Sequence, residues 1–157
     1  MLRFRQRENG KRKVVAPMIF RKCAGGVVFF DDSVFLLKNE KKEWILPKGV
    51  IREKRLPNDV ALDRVFRETG IRARIISPAG ETSYEFYSLT RRQPVCNQIT
   101  WYVMKADTPD YRIAFEQGFI DGDYFPVEKG IELITYSQDK ALVSVAYEKY
   151  KAFLEEK

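Results

Sequence analysis

Asp63, Arg64, Arg67 and Glu68 are the residues whose charge and spacing first suggest chemistry. On a helix, positions 64, 67 and 68 share a face. Asp63 and Arg67 are four apart with the acid first, the favourable orientation, and Arg64 meets Glu68 at the same spacing. Each exposed pair of this kind adds about 0.2–0.5 kcal/mol, so the face is self-compensating. The chain has no histidine. That excludes Ser-His-Asp and Cys-His nucleophile pairs, imidazole zinc sites and histidine acid–base catalysis. Any metal would have to be held by carboxylates. Tyr84, Phe86, Tyr87, Trp101 and Tyr136 either stack on a flat ring or fill a core; strand spacing alone favours core.

The elements that position these residues follow from the pattern. Cys23–Phe30 is a buried strand, and Asp31-Asp32 turns the chain into a second strand at Val34–Leu37. The Gly25-Gly26 pair marks close backbone approach, since no helix pattern follows it. Trp44–Pro47 is a short strand ended by Lys48-Gly49. Pro57 opens a helix, Ala61, Leu62, Val65 and Phe66 give its apolar spacing, and Gly70 stops it, so the helix runs over 57–69. Leu56 is a poor N-cap. Strands are expected over 72–76, 82–89 and 99–106, with a turn at Arg91–Pro94. A loop follows over 109–118. Asp121-Gly122-Asp123 reads as a turn into Tyr124-Phe125, Pro126 opens a short helix ending near Ile134, and a last helix spans about 138–155. Mixed strands with a central and a terminal helix give an α/β or α+β sandwich.

With 157 residues, 45% of them hydrophobic and 32% charged, the chain is one ordinary globular domain. The net charge of +6 is uneven. Residues 1–22 hold eight basic groups against Glu8, a net +7, while the rest carries 20 basic and 21 acidic groups. The expectation is a basic arm over 1–20, mobile or extended, ahead of a single domain over 21–157. The arm is either a solvated leader or a contact for nucleic acid or another acidic partner. Two cysteines are too few for a disulfide framework. No apolar run reaches bilayer length, and no apolar stretch follows the N-terminal basic residues, so a cytoplasmic protein without a membrane partner is expected.

Gly49 through Ile71 resembles a Nudix box: Gly, five residues, Glu, seven residues, Arg-Glu, an aliphatic, one residue, Glu-Glu, one residue, Gly, an aliphatic. Set from Gly49, the pattern matches Val65, Glu68, Gly70 and Ile71. Leu46-Pro47-Lys48-Gly49 resembles the family lead-in, and Ala24–Val28 and Tyr124–Tyr136 resemble flanking segments, so roughly 20–150 is covered. The likeness is strongest to the diadenosine-polyphosphate-hydrolase-like branch. It implies an α/β/α sandwich with a mixed β-sheet, Mg²⁺ or Mn²⁺ held by box glutamates, and hydrolysis of a nucleoside diphosphate-linked substrate.

The box departs from that pattern where the chemistry lies. Arg55 stands for the first Glu, Asp63 for the Arg, and Arg64 and Arg67 for two further Glu; Glu68 alone remains. The five positions sum to −3 in the family and +1 here. Guanidiniums repel a divalent ion and cannot lose their charge. Three readings stay open: a solvated helix face; Arg55, Arg64 and Arg67, with Lys48, binding phosphate oxygens without a cofactor; or hydrolysis retained with Glu68 and displaced acids. The recruits would be Glu53, Glu116, Asp121 or Asp123, with Glu53 and Glu116 as alternative catalytic groups. The preferred expectation is a non-hydrolytic nucleotide- or polyphosphate-binding or regulatory module, with Tyr84, Trp101 and Tyr136 as candidate base-stacking rings.

Overall fold

The computed structural model describes residues 3–8 and 11–156. Strands β1 (Arg3–Glu8) and β2 (Lys11–Pro17) pair antiparallel in a small sheet of their own. The basic stretch expected to be mobile or extended is thus strand over these residues, and positions 1, 2, 9 and 10 lie outside the described residues. β3 already begins at Ile19, so Arg21 and Lys22 belong to the main sheet.

That sheet is mixed and seven-stranded: β3 (Ile19–Phe30), β4 (Ser33–Asn39), β5 (Trp44–Ile45), β6 (Lys48–Val50), β7 (Ala73–Ser88), β8 (Gln93–Ala106) and β9 (Phe119–Pro126). The main path runs β5-β4-β3-β8-β7, with β6 on β3 and β9 on β4. β3 and β8 are parallel and the other pairings antiparallel. The helices are α1 (Pro57–Thr69), α2 (Val127–Leu133) and α3 (Ser137–Glu155).

Strand alternation builds two cores, one on each face. Cys23, Val27 and Phe29 of β3 join Val34 and Leu36 of β4 and Ile99, Trp101 and Val103 of β8 under α2 and α3. Ala24 and Val28 join Phe35, Leu37 and Met104 under α1, which contributes Val60, Ala61 and Val65. Each fully buried Val, Leu, Ile, Phe or Met among them contributes about 1.5–3 kcal/mol relative to exposure. The expected α/β/α sandwich with a mixed β-sheet is the observed architecture. The Gly25-Gly26 pair does mark close approach. A Cβ on Gly25 would lie 2.6 Å from the Trp101 ring, and Gly26 donates to the Pro47 carbonyl at 3.1 Å.

α1 has the expected bounds. Pro57 sits in its first turn, Leu56 supplies no side-chain cap, and Gly70 closes it in the left-handed region with φ 70°. Three local expectations need correction. Lys48-Gly49 does not end a strand but forms β6 against Cys23–Gly25. The two strands expected over 72–76 and 82–89 are one, β7, which passes through Pro78 and Gly80 by register shifts instead of breaking. Asp121-Gly122-Asp123 is not a turn; it lies inside β9, paired with Leu36–Lys38. Gly122 is there for space, since a Cβ would stand 3.1 Å from the Leu36 carbonyl oxygen.

Candidate functional site

By laying Val60, Ala61 and Val65 on the sheet, α1 decides where its charged residues go. Glu68 falls on the buried side, only 5% exposed. A hydrogen bond from the Lys48 backbone reaches its carboxylate, and Arg64 Nη1 stands 3.8 Å from its Oε2. Burial pushes the Glu68 carboxyl up to about 7, while the Arg64 and Lys48 charges pull the other way. The Arg64 side chain lies flat over Gly49, and a Cβ there would overlap Arg64 Nε, Cγ and Cδ. Arg67 turns the opposite way, into solvent, with its Nε 3.1 Å from Asp63 Oδ2. The same Asp63 oxygen takes Arg55 Nη1 at 3.4 Å. Both ion pairs expected from helical spacing are present. The shared face is divided, however: Arg64 and Glu68 face the sheet, while Arg67 and Arg55 converge on Asp63. Val65 and Ile71 are buried in the core beside α1, and Gly70 is its C-cap.

A divalent cation fits this donor set poorly. Glu68 is the one pattern glutamate left in the box, and a guanidinium stands beside it. Glu53 is exposed at φ 58°, and Glu116 is exposed on the short 3₁₀ turn Phe115–Gln117. Asp121 and Asp123 are exposed on β9 and already accept hydrogen bonds. Asp121 takes the Gly122 N–H at 2.8 Å; Asp123 takes the Tyr124 N–H at 2.7 Å and the Tyr111 hydroxyl at 3.1 Å. Among the described residues, no three His, Cys, Asp or Glu side chains gather where they could hold a metal. The Nudix pattern's Mg²⁺ or Mn²⁺ therefore has no ready ligand set here.

A cavity of about 710 Å³ opens elsewhere, between the β4–β5 loop, β7 and the start of α3. Lys48, Tyr84 and Tyr136 line it; Arg55, Arg64, Arg67 and the late-loop acids do not. Lys48 joins the two regions. Its backbone serves Glu68, and its ammonium stands 5.8 Å from the centre of the Tyr84 ring. Each tyrosine is tied at its hydroxyl. Tyr84 Oη accepts from Asn97 Nδ2 at 2.7 Å, and Asn97 in turn accepts from Arg21 Nε at 2.9 Å. Tyr136 donates to the Glu43 carboxylate, which also accepts from Asn39 Nδ2 at 2.9 Å. The bond to Tyr136 is the main cause that lowers the Glu43 carboxyl, and its counterpart pushes the Tyr136 phenol up to about 12. With their hydroxyls tied, the two rings are held at the wall of the cavity. Phe86 stacks on Tyr84 at 5.9 Å.

Trp101 needs correction as a stacking ring. It is 1% exposed, packed in the core beneath α3, and its indole N–H donates to Thr82 at 2.8 Å. No face of it is open to a base. The sequence reading also missed three residues that line the cavity, Glu43, Gln138 and Asp139, and the buried Asn97 that holds Tyr84. Gln138 bridges α3 to β7, donating to the Ser83 carbonyl at 2.9 Å and accepting its N–H at 3.3 Å. The Asp139 carboxyl is raised by burial, opposed by Lys48.

No protein-family model matches the chain. Solved structures do. A C. elegans Ap4A hydrolase binary complex superposes with a TM-score of 0.66 at 18% identity, covering 87% of this chain and 99% of that one. An E. coli dihydroneopterin triphosphate pyrophosphohydrolase gives 0.66 at 13% identity over 80% and 94% of the two chains. A Nudix hydrolase from Nitrosomonas europaea gives 0.60 at 14% identity over 90% and 82%. Identities this low establish a shared fold, and the fold is that of the Nudix hydrolases.

Proposed function

We propose that this Nudix-fold protein is a nucleotide-binding or regulatory module that works without a divalent metal and without hydrolysis. The observation that carries this reading is the separation of two features. The box helix keeps Glu68 as its one pattern glutamate, buried beside Arg64, whereas an aromatic-walled cavity with Lys48 at its side stands ready for a ligand. In the proposed complex the base stacks on Tyr84 or Tyr136, and Lys48 meets a phosphate oxygen. By analogy of fold, the Ap4A hydrolase and dihydroneopterin triphosphate pyrophosphohydrolase neighbours support a nucleotide as the ligand class. Arg55 and Arg67 hold Asp63 between them and Arg64 faces Glu68, so the arginines are not free phosphate ligands as they stand.

The test is calorimetric titration of chelator-treated protein with adenosine and guanosine nucleotides, repeated with added Mg²⁺. Binding should occur without metal and change little when it is added. The Tyr84→Ala and Lys48→Ala variants should each bind at least about tenfold more weakly, consistent with the ~1–3 kcal/mol of a base–aromatic stack. No binding in the chelated protein, or binding untouched by both variants, overturns the reading.

A further inference from the structure

We infer that the cavity takes a nucleoside ring whose edge carries two adjacent N–H donors, the pattern of a guanine, with at most a short phosphate at Lys48. This deepens the metal-independent nucleotide-binding reading and rests on it. The first support is the charge of the walls. Glu40, Glu43, Glu85 and Asp139 line the cavity against Lys41 and Lys48, a net −2. The chain's box arginines are outside the lining and paired with acids of their own. A tri- or tetraphosphate brought into such walls without a metal meets more repulsion than attraction.

The second support is Asp139. Glu40 and Glu85 are exposed to solvent, and Glu43 is taken up by Tyr136 and Asn39. Asp139 is half-buried and lines the cavity, and while its backbone N–H donates to the Tyr136 carbonyl at 3.1 Å, its carboxylate has no hydrogen bond or ion pair among the described residues. Lys48 is the cation that acts on it. An ionised carboxylate only accepts, and its two oxygens suit two parallel N–H donors. Guanine presents N1–H and the N2 amino group side by side. Adenine sets its N1 lone pair beside its amino group, so one carboxylate oxygen would face another acceptor. Tyr84 and Tyr136 line the same cavity with their hydroxyls fixed, and such a base would lie against these rings.

Chelator-treated protein would be titrated with guanosine, inosine, adenosine, guanosine 5′-monophosphate and guanosine 5′-triphosphate. Guanosine should bind at least about tenfold tighter than inosine, which lacks the N2 amino group, and than adenosine. The triphosphate should bind more weakly than the monophosphate. In Asp139→Asn, checked for folding by circular dichroism, the guanosine-to-adenosine ratio should fall to about one. Equal affinities for guanosine and adenosine, tightening with each added phosphate, or a preference that survives Asp139→Asn overturns the inference. Metal-free binding that strengthens with phosphate number and ignores the base would leave the nucleotide-binding reading standing while removing this one. No binding by any of the five ligands removes both.

Discussion

The Arg64 guanidinium stands 3.8 Å from the Glu68 carboxylate, with its side chain laid across Gly49. A cation therefore sits beside the last box glutamate as part of the chain itself. Arg64 offsets part of the burial cost of the Glu68 charge, although burial remains the larger effect.

This burial has a pH signature. Glu68 is raised from 4.5 to about 7, so between these values the folded state holds a proton that the unfolded state has lost. Stability from this group is therefore full below about 4.5 and declines as pH rises to about 7, by roughly 3 kcal/mol in all. Glu68→Gln removes the titration. Chemical denaturation of both proteins from pH 5 to pH 8 should show the variant gaining on the parent as pH rises. Parallel pH profiles would contradict the assigned burial.

Gly49 and Arg64 should be energetically coupled. Gly49→Ala places a methyl where the Arg64 stem lies, and an overpacking cost of about 1–3 kcal/mol is expected. Arg64→Ala clears the space, so the double variant should be more stable than the sum of the two single effects predicts. Strict additivity in the cycle would show that the side chain does not hold that position.

How legible the molecule was depended on the range over which each feature is encoded. α1 was readable to the residue, because Pro57, the apolar spacing and Gly70 are all local signals. β9 was not. Asp121-Gly122-Asp123 has turn chemistry, and Gly122 is small because the Leu36 carbonyl of the neighbouring strand lies against it. β7 looked interrupted at Pro78 and Gly80, which an edge strand absorbs by shifting register. Spacing gave the Asp63–Arg67 and Arg64–Glu68 pairs but not that Arg55 shares Asp63. The cavity was least visible. Glu43, Tyr84 and Asp139 come from separate segments, the β4–β5 loop, β7 and α3, and only the folded sheet with α3 docked on it brings them together. Trp101 misled because alternation marks a strand without telling which face is covered; here the covering helix is α3.

The basic N-terminal stretch gives a separable expectation. If it contacts nucleic acid, each neutralised phosphate on duplex DNA contributes roughly −0.9 to the slope of log affinity against log salt. Deleting residues 1–13 removes Arg3, Arg5, Arg7, Lys11, Arg12 and Lys13, and filter binding across a salt series should then show loss of affinity with a flattened slope. Unchanged binding by the truncated protein would place any nucleic-acid contact elsewhere.

The most direct test of a metal-independent Nudix-fold protein is Mn²⁺ titration of the intact chain, read by calorimetry and by phosphate release from nucleoside di- and triphosphates. The account predicts no saturable Mn²⁺ binding and no metal-dependent release. Arg64→Glu with Arg67→Glu, which removes the guanidinium beside Glu68 and returns two carboxylates to the box helix, should gain metal affinity over the parent. Stoichiometric Mn²⁺ binding with turnover by the unmodified protein, abolished by Glu68→Gln, would contradict the account.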